Sequence, residues 1–145
     1  MIIIFEVVEK IVFTSAGNPK TWTSFLKEKG ITVVHVVSSV KFAIKAEAAG
    51  VDAIVCEGFE AGGHNGREET TTFTLIPMVK ESITIPVIAA GGIGNGRGML
   101  AAMVLGADGV QIGSRFAASK EYSAHVNFKQ NIIDVKDDDT NLTLK

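Results

Sequence analysis

Three short stretches carry the residue types that do chemistry. Residues 57–66 read E-G-F-E-A-G-G-H-N-G, which places two carboxylates, a Gly-Gly pair and a histidine directly after an apolar run. Imidazole changes charge near neutral pH, so His64 in a glycine loop can shuttle a proton or steady a developing negative charge. Glu57 and Glu60 lie three apart in a turning segment and need not converge. Glu57, at the strand end, is the better placed to face a site, and a paired-carboxylate glycosidase has little support. The second stretch, residues 91–98, reads G-G-I-G-N-G-R-G. No starting glycine gives the offsets of the dinucleotide fingerprint, but bare backbone N–H groups beside a helix N-terminus suit a phosphate. The third, Gly113-Ser114 with Arg115 beside it, offers a second such set after the next strand. Glycine after a strand is common. Two such loops on consecutive late strands are the arrangement of phosphate-binding barrels.

The totals narrow the class. The chain has 145 residues, 46% of them hydrophobic and 15 of them glycine, which fits one compact α/β domain with a sizeable core. A net charge of −2 predicts no nucleic-acid partner. The single cysteine, Cys56, excludes an intrachain disulfide and a thiolate metal cluster, and within an apolar run it reads as a small buried side chain. His35 and His125 read as structural, and without H-x-x-x-H spacing no metal site is expected. Residues 1–8 are short, carry Glu6 and lack a basic leader, so neither a signal peptide nor a membrane span is expected and a cytoplasmic protein is the default.

The elements that must position these residues follow from periodicity and breakers. A helix end is expected over residues 2–10, then a strand over 11–14 closed by S-A-G-N-P. A short helix over 21–29 places Trp22, Phe25 and Leu26 on one face and stops at Gly30. Strands are expected over 32–37, 52–56, 87–90 and 109–112. Helices are expected over 40–49, capped by Ser38-Ser39, over 75–82 after Thr70 to Thr72, over 98–105 stopped by Gly106, and over 119–133. Lys45 falls inside a helix, where the plain reading is a solvated charge.

An internal echo supports a repeated unit. Residues 47–58, E-A-A-G-V-D-A-I-V-C-E-G, match residues 104–113, V-L-G-A-D-G-V-Q-I-G, as helix end, glycine, aspartate, buried strand and closing glycine. Residues 27–34 form a weaker third copy. Repeated strand-helix units imply a parallel sheet with right-handed crossovers. Two architectures then stay open: a five-stranded open sheet, complete at this length, or a fragment of a (β/α)8 barrel, which takes about 250 residues.

E-G-F-E-A-G-G-H-N-G, then I-P-V-I-A-A-G-G-I, then G-A-D-G-V-Q-I-G-S-R-F resemble the flavin-dependent nitronate monooxygenases, once called 2-nitropropane dioxygenases. They resemble equally the flavin-type enoyl-acyl-carrier-protein reductases of the same superfamily. The resemblance runs over residues 11–133 and implies a (β/α)8 TIM barrel binding FMN, present here as an incomplete barrel of about five βα units. It implies a partial FMN-binding domain over 1–133 and a loose tail over 134–145. By similarity His64 matches the catalytic histidine. Gly63, Gly91, Gly92, Gly113 and Ser114 match positions touching the FMN ribityl-phosphate, and Lys45 falls where relatives place a basic residue near the flavin. Glu57 and Gln111 are further flavin-side contacts implied in the same way. Ser114 replaces the usual threonine. His35 and Ser38 stand where the reductases commonly have proline.

The function implied is an FMN-dependent oxidoreductase that oxidises nitronates with oxygen. The alternatives are an NAD(P)H-dependent enoyl reductase and a catalytically inactive barrel fragment. The expected partner is a small molecule, a nitronate or an enoyl thioester, in a possible homo-oligomer with no membrane or nucleic-acid role.

Overall fold

The computed structural model describes residues 9–137, 139 and 140. Strands β1 (Ile11–Thr14), β2 (Thr32–Val37), β3 (Ala53–Glu57), β4 (Val87–Ala90) and β5 (Gly109–Gln111) form one parallel sheet in chain order. A doubly wound sheet reverses its order at a switch point. This sheet has no such reversal. A strictly sequential run of parallel strands is the wall of a barrel, and five of the eight strands are here.

A 3-10 turn (Pro19–Thr21) leads into α1 (Thr23–Glu28), followed by α2 (Val40–Ala48), α3 (Thr72–Lys80) and α4 (Gly96–Val104). Beyond β5 come α5 (Ser114–Ala117) and α6 (Val126–Asp134). The chain divides into two compact units, one reaching to Gln111 and one starting at Ile112.

Right-handed crossovers put α1 to α4 on the same face of the sheet, and burial identifies it. Val33, Ile54, Cys56, Val87 and Ala89 are fully buried, packed with Leu26, Ala43, Leu75, Ile76 and Val79 from the helices. The alternate residues form the opposite face, where Val34, Val55 and Ala90 are buried and Val36, Ala53 and Ile88 pack against them half-exposed. Toward β1 this second face opens to solvent at Ile11 and Phe13. It is the face that a complete barrel turns inward.

The echo in the sequence corresponds to a shared device. Asp52 accepts the Val33 amide (2.8 Å) and pairs with Lys27 of α1 (2.7 Å). Asp108 accepts the Val87 amide (2.8 Å) and pairs with Lys80 of α3 (2.7 Å). In each repeat the aspartate ties the start of the preceding strand to the helix behind it.

The structure departs from expectation at three places, and a fourth expectation falls partly outside the described residues. Most of the helix end expected over residues 2–10 lies outside the described residues, and Glu9 and Lys10 are not helical. Part of the tail expected over 134–145 likewise lies outside them. The helix expected over 119–133 forms only as α6: Lys129 donates to the carbonyls of Lys120 and Tyr122, which a continuous helix would need, and His125 Nδ1 caps α6 by accepting from the Asn127 amide. Ser39 stands at the N-cap of α2, but neither serine hydroxyl makes a capping hydrogen bond. Ser38 donates to Glu68, and the Ser39 hydroxyl is buried with no partner.

Candidate active site

The carboxyl ends of β1 to β3 open into a cleft of about 300 Å³. Ser15 to Gly17 border it from the loop after β1, and His35 to Ser38 from the end of β2. Phe42 and Lys45 come from α2, Glu57 ends β3, and His64, Asn65 and Gly66 come from the glycine loop. The fold thus gathers Lys45, Glu57 and His64, with Gly63 next to His64 at φ +94°. It also places His35 there, which sequence reading treats as structural.

Burial pushes the Glu57 carboxyl above its usual range, which favours its neutral form. Burial, then the charge of Lys45, hold His35 below the usual imidazole value. The Cys56 thiol, behind the sheet, is pushed up to about 12 by burial and is inert. Asn65 donates its amide to Phe59 O (2.8 Å), while its Oδ1 is buried without a partner. An unmet acceptor of this kind is costly, and it fits a polar ligand that the chain itself does not supply.

Two backbone contacts shape the glycine loop. A Cβ on Gly58 would lie 2.3 Å from the Thr72 nitrogen, because the start of α3 lies directly on the chain there. A Cβ on Gly66 would lie 2.3 Å from Ser38 Cβ. The loop therefore seats against α3 at Gly58 and against Ser38 at Gly66 only because both positions lack side chains.

Gly91 and Gly92 do not line this cleft. They turn away from β4 at φ +103° and +68°, with the Gly91 carbonyl 3.0 Å from the Thr72 hydroxyl. Asn95 caps α4 by accepting the Gly98 amide (3.0 Å), so the helix begins earlier than Gly98. Gln111, exposed at the end of β5, shares a lateral row with Ala90 and Glu57 through strand register. Gly113 and Ser114 belong to the second unit, where the Gly113 carbonyl accepts from Phe116 and Ala117 at 3.0 Å and opens the four-residue α5.

Two groups of residues escaped sequence reasoning. Thr72 anchors both glycine loops through contacts twelve and more residues away. Thr14 and His35 are cross-strand partners, visible only once register is known. A signal existed for His35: it falls in the alternation of Val33 and Val37, a polar residue in a buried series.

A parallel, sequentially ordered sheet with its polar cleft at the carboxyl ends of the strands is the barrel pattern. Comparison with known proteins gives it a family. A sequence model described as nitronate monooxygenase matches residues 2–145. The chain belongs to the nitronate monooxygenase family. A probable nitronate monooxygenase of Staphylococcus saprophyticus is 40% identical across 98% of this chain, which spans 42% of that protein. FabK from Thermotoga maritima is 49% identical with a TM-score of 0.85, covering 91% of this chain and 42% of its own. A nitroalkane oxidase from Streptomyces ansochromogenes is 28% identical with a TM-score of 0.77, covering 88% and 40%. The chain therefore spans about two fifths of the length of these relatives. Among the described residues, no helix is long and apolar enough to cross a membrane, and no three His, Cys, Asp or Glu side chains cluster as metal ligands.

Proposed function

We propose that this chain carries the proton-handling side of an FMN-dependent oxidoreductase acting on nitronates. The observation that carries the reading is the gathering of Lys45, Glu57 and His64 in one cleft at the carboxyl ends of the strands. Lys45 supplies a cation, Glu57 is biased toward its neutral form, and His64 stands exposed at the rim. Such a site favours a small anion over a neutral molecule.

FMN would be held by Lys45 on the ring side and by the backbone of Gly63, Gly91 and Gly92 on the phosphate side, with Gln111 at the lip. When bound, the flavin supplies the electron transfer that no side chain can perform. The chain's own residues do the rest. Lys45 holds the anionic oxygen, and His64 donates a hydrogen bond to the anion or takes its proton. Phe42 and Val36 give one wall of the cleft an apolar lining.

The 49% identity to FabK supports a second reading, an NAD(P)H-dependent enoyl reductase in the same cleft. Anaerobic mixing of the FMN-loaded protein with a nitronate and, separately, with NADH decides between them. Bleaching by nitronate that is lost in His64→Ala supports the first reading. Bleaching by NADH alone supports the second.

A further inference from the structure

We propose that Glu60 and Thr72 are positioning residues for the phosphate end of the flavin site: together they hold the Gly91-Gly92 turn so that its backbone meets the phosphate monoester. The inference rests on the flavin reading and adds to it the pair that sets one end of the site. Glu60 lies in the glycine-histidine loop after β3, and Thr72 opens α3. Glu60 Oε2 accepts the Thr72 amide at 2.8 Å and stands 3.0 Å from the Thr72 hydroxyl. Thr72 is buried, and its hydroxyl reaches across to the end of β4, 3.0 Å from Gly91 O and 3.3 Å from Ala90 O. One proton faces three oxygens, so the hydroxyl sits at the junction of both loops whichever oxygen takes it.

The turn is held by packing as well as by hydrogen bonding. Gly91, at φ +103°, is wedged: a Cβ there would lie 2.8 Å from Thr72 Oγ1, 2.9 Å from Gly58 O and 3.1 Å from Ala61 N. At Gly92 a Cβ would lie 3.2 Å from Glu60 Cβ and 3.5 Å from its Cγ. The aliphatic stem of Glu60 therefore backs the turn, while its carboxylate is taken up by the start of α3. Among the described residues, the amides of Gly92 and Ile93 have no backbone acceptor. Successive amides of this kind suit an anion. Charge-assisted hydrogen bonds to a phosphate are strong only when the donors are held in one orientation. Glu60 and Thr72 supply that hold.

The test compares FMN with riboflavin, which lacks the phosphate, by quenching of flavin fluorescence on the full chain. Wild-type protein is expected to bind FMN roughly tenfold or more tightly than riboflavin. In Thr72→Val and in Glu60→Ala the ratio falls to near one, because FMN affinity drops while riboflavin affinity holds. In Thr72→Ser, which keeps the hydroxyl, the ratio is retained. A merely structural role would weaken both flavins alike and leave the ratio unchanged. Melting curves check that each variant folds, and should Thr72→Val not fold, Glu60→Ala reads the same clamp. Equal affinities in the wild type, or a ratio that survives in folded Thr72→Val or Glu60→Ala, overturn the positioning role and leave the flavin reading standing. No quenching of either flavin overturns both.

Discussion

Glu60 accepts both the amide (2.8 Å) and the hydroxyl (3.0 Å) of Thr72, so the glycine-histidine loop caps α3 from outside the helix. The same hydroxyl lies 3.0 Å from the Gly91 carbonyl. One side chain therefore fixes the spacing of two loops on adjacent strands. Thr72→Val keeps the amide contact and loses the hydroxyl. It is expected to cost about 1–2 kcal/mol of stability, measured by urea unfolding, and to weaken FMN binding as the loops part.

Gly58 has no room for a side chain against Thr72. Gly58→Ala must displace the start of α3 or the loop after β3. The expected result is a loss of at least about 2 kcal/mol in chemical unfolding, whereas Gly62→Ala, with open space around its Cβ position, stays within about 1 kcal/mol.

The fold was legible wherever its cause was local. The aspartates of the echo, Asp52 and Asp108, stand out because each unit needs one to tie its strand, but repetition alone leaves an open sheet and a barrel both possible. Gly30, Gly50 and Gly106 stop helices at φ of +74°, +84° and +106° as their spacing predicts. Glu57 at the strand end and His64 in the loop stand out from position alone, and both line the cleft. Thr72 and the Thr14–His35 pair were not legible, because each acts across strands or loops whose separation no spacing rule supplies. The helix expected over 119–133 forms only from Val126 onward for the same reason: Lys129 reaches back to carbonyls seven and nine residues away.

Glu57 gives a pH signature. Its carboxyl is raised by burial, so the folded state holds a proton that the unfolded chain releases near about pH 4.3. Stability therefore falls as pH rises from that value through the raised folded one, and then levels. Glu57→Gln is expected to remove this slope and raise the melting temperature at pH 7, read by thermal melts across pH 4 to 8.

His35 has a signature in the opposite direction. Burial, then Lys45, lower its folded value, so below about pH 6.5 the unfolded chain binds a proton that the folded one resists. The contribution is complete above that pH and is lost as pH falls through the window below it. His35→Gln is expected to flatten unfolding free energy between about pH 6.5 and pH 5, compared by urea titration with the wild type.

The central claim, that this chain holds a flavin in the cleft and glycine loops, is tested most directly by mixing the purified protein with FMN, passing it through a desalting column and recording the visible spectrum of the protein fraction. Flavin bands that travel with the wild-type protein, and weaken in Lys45→Met, are the predicted result. A colourless wild-type fraction would contradict the claim.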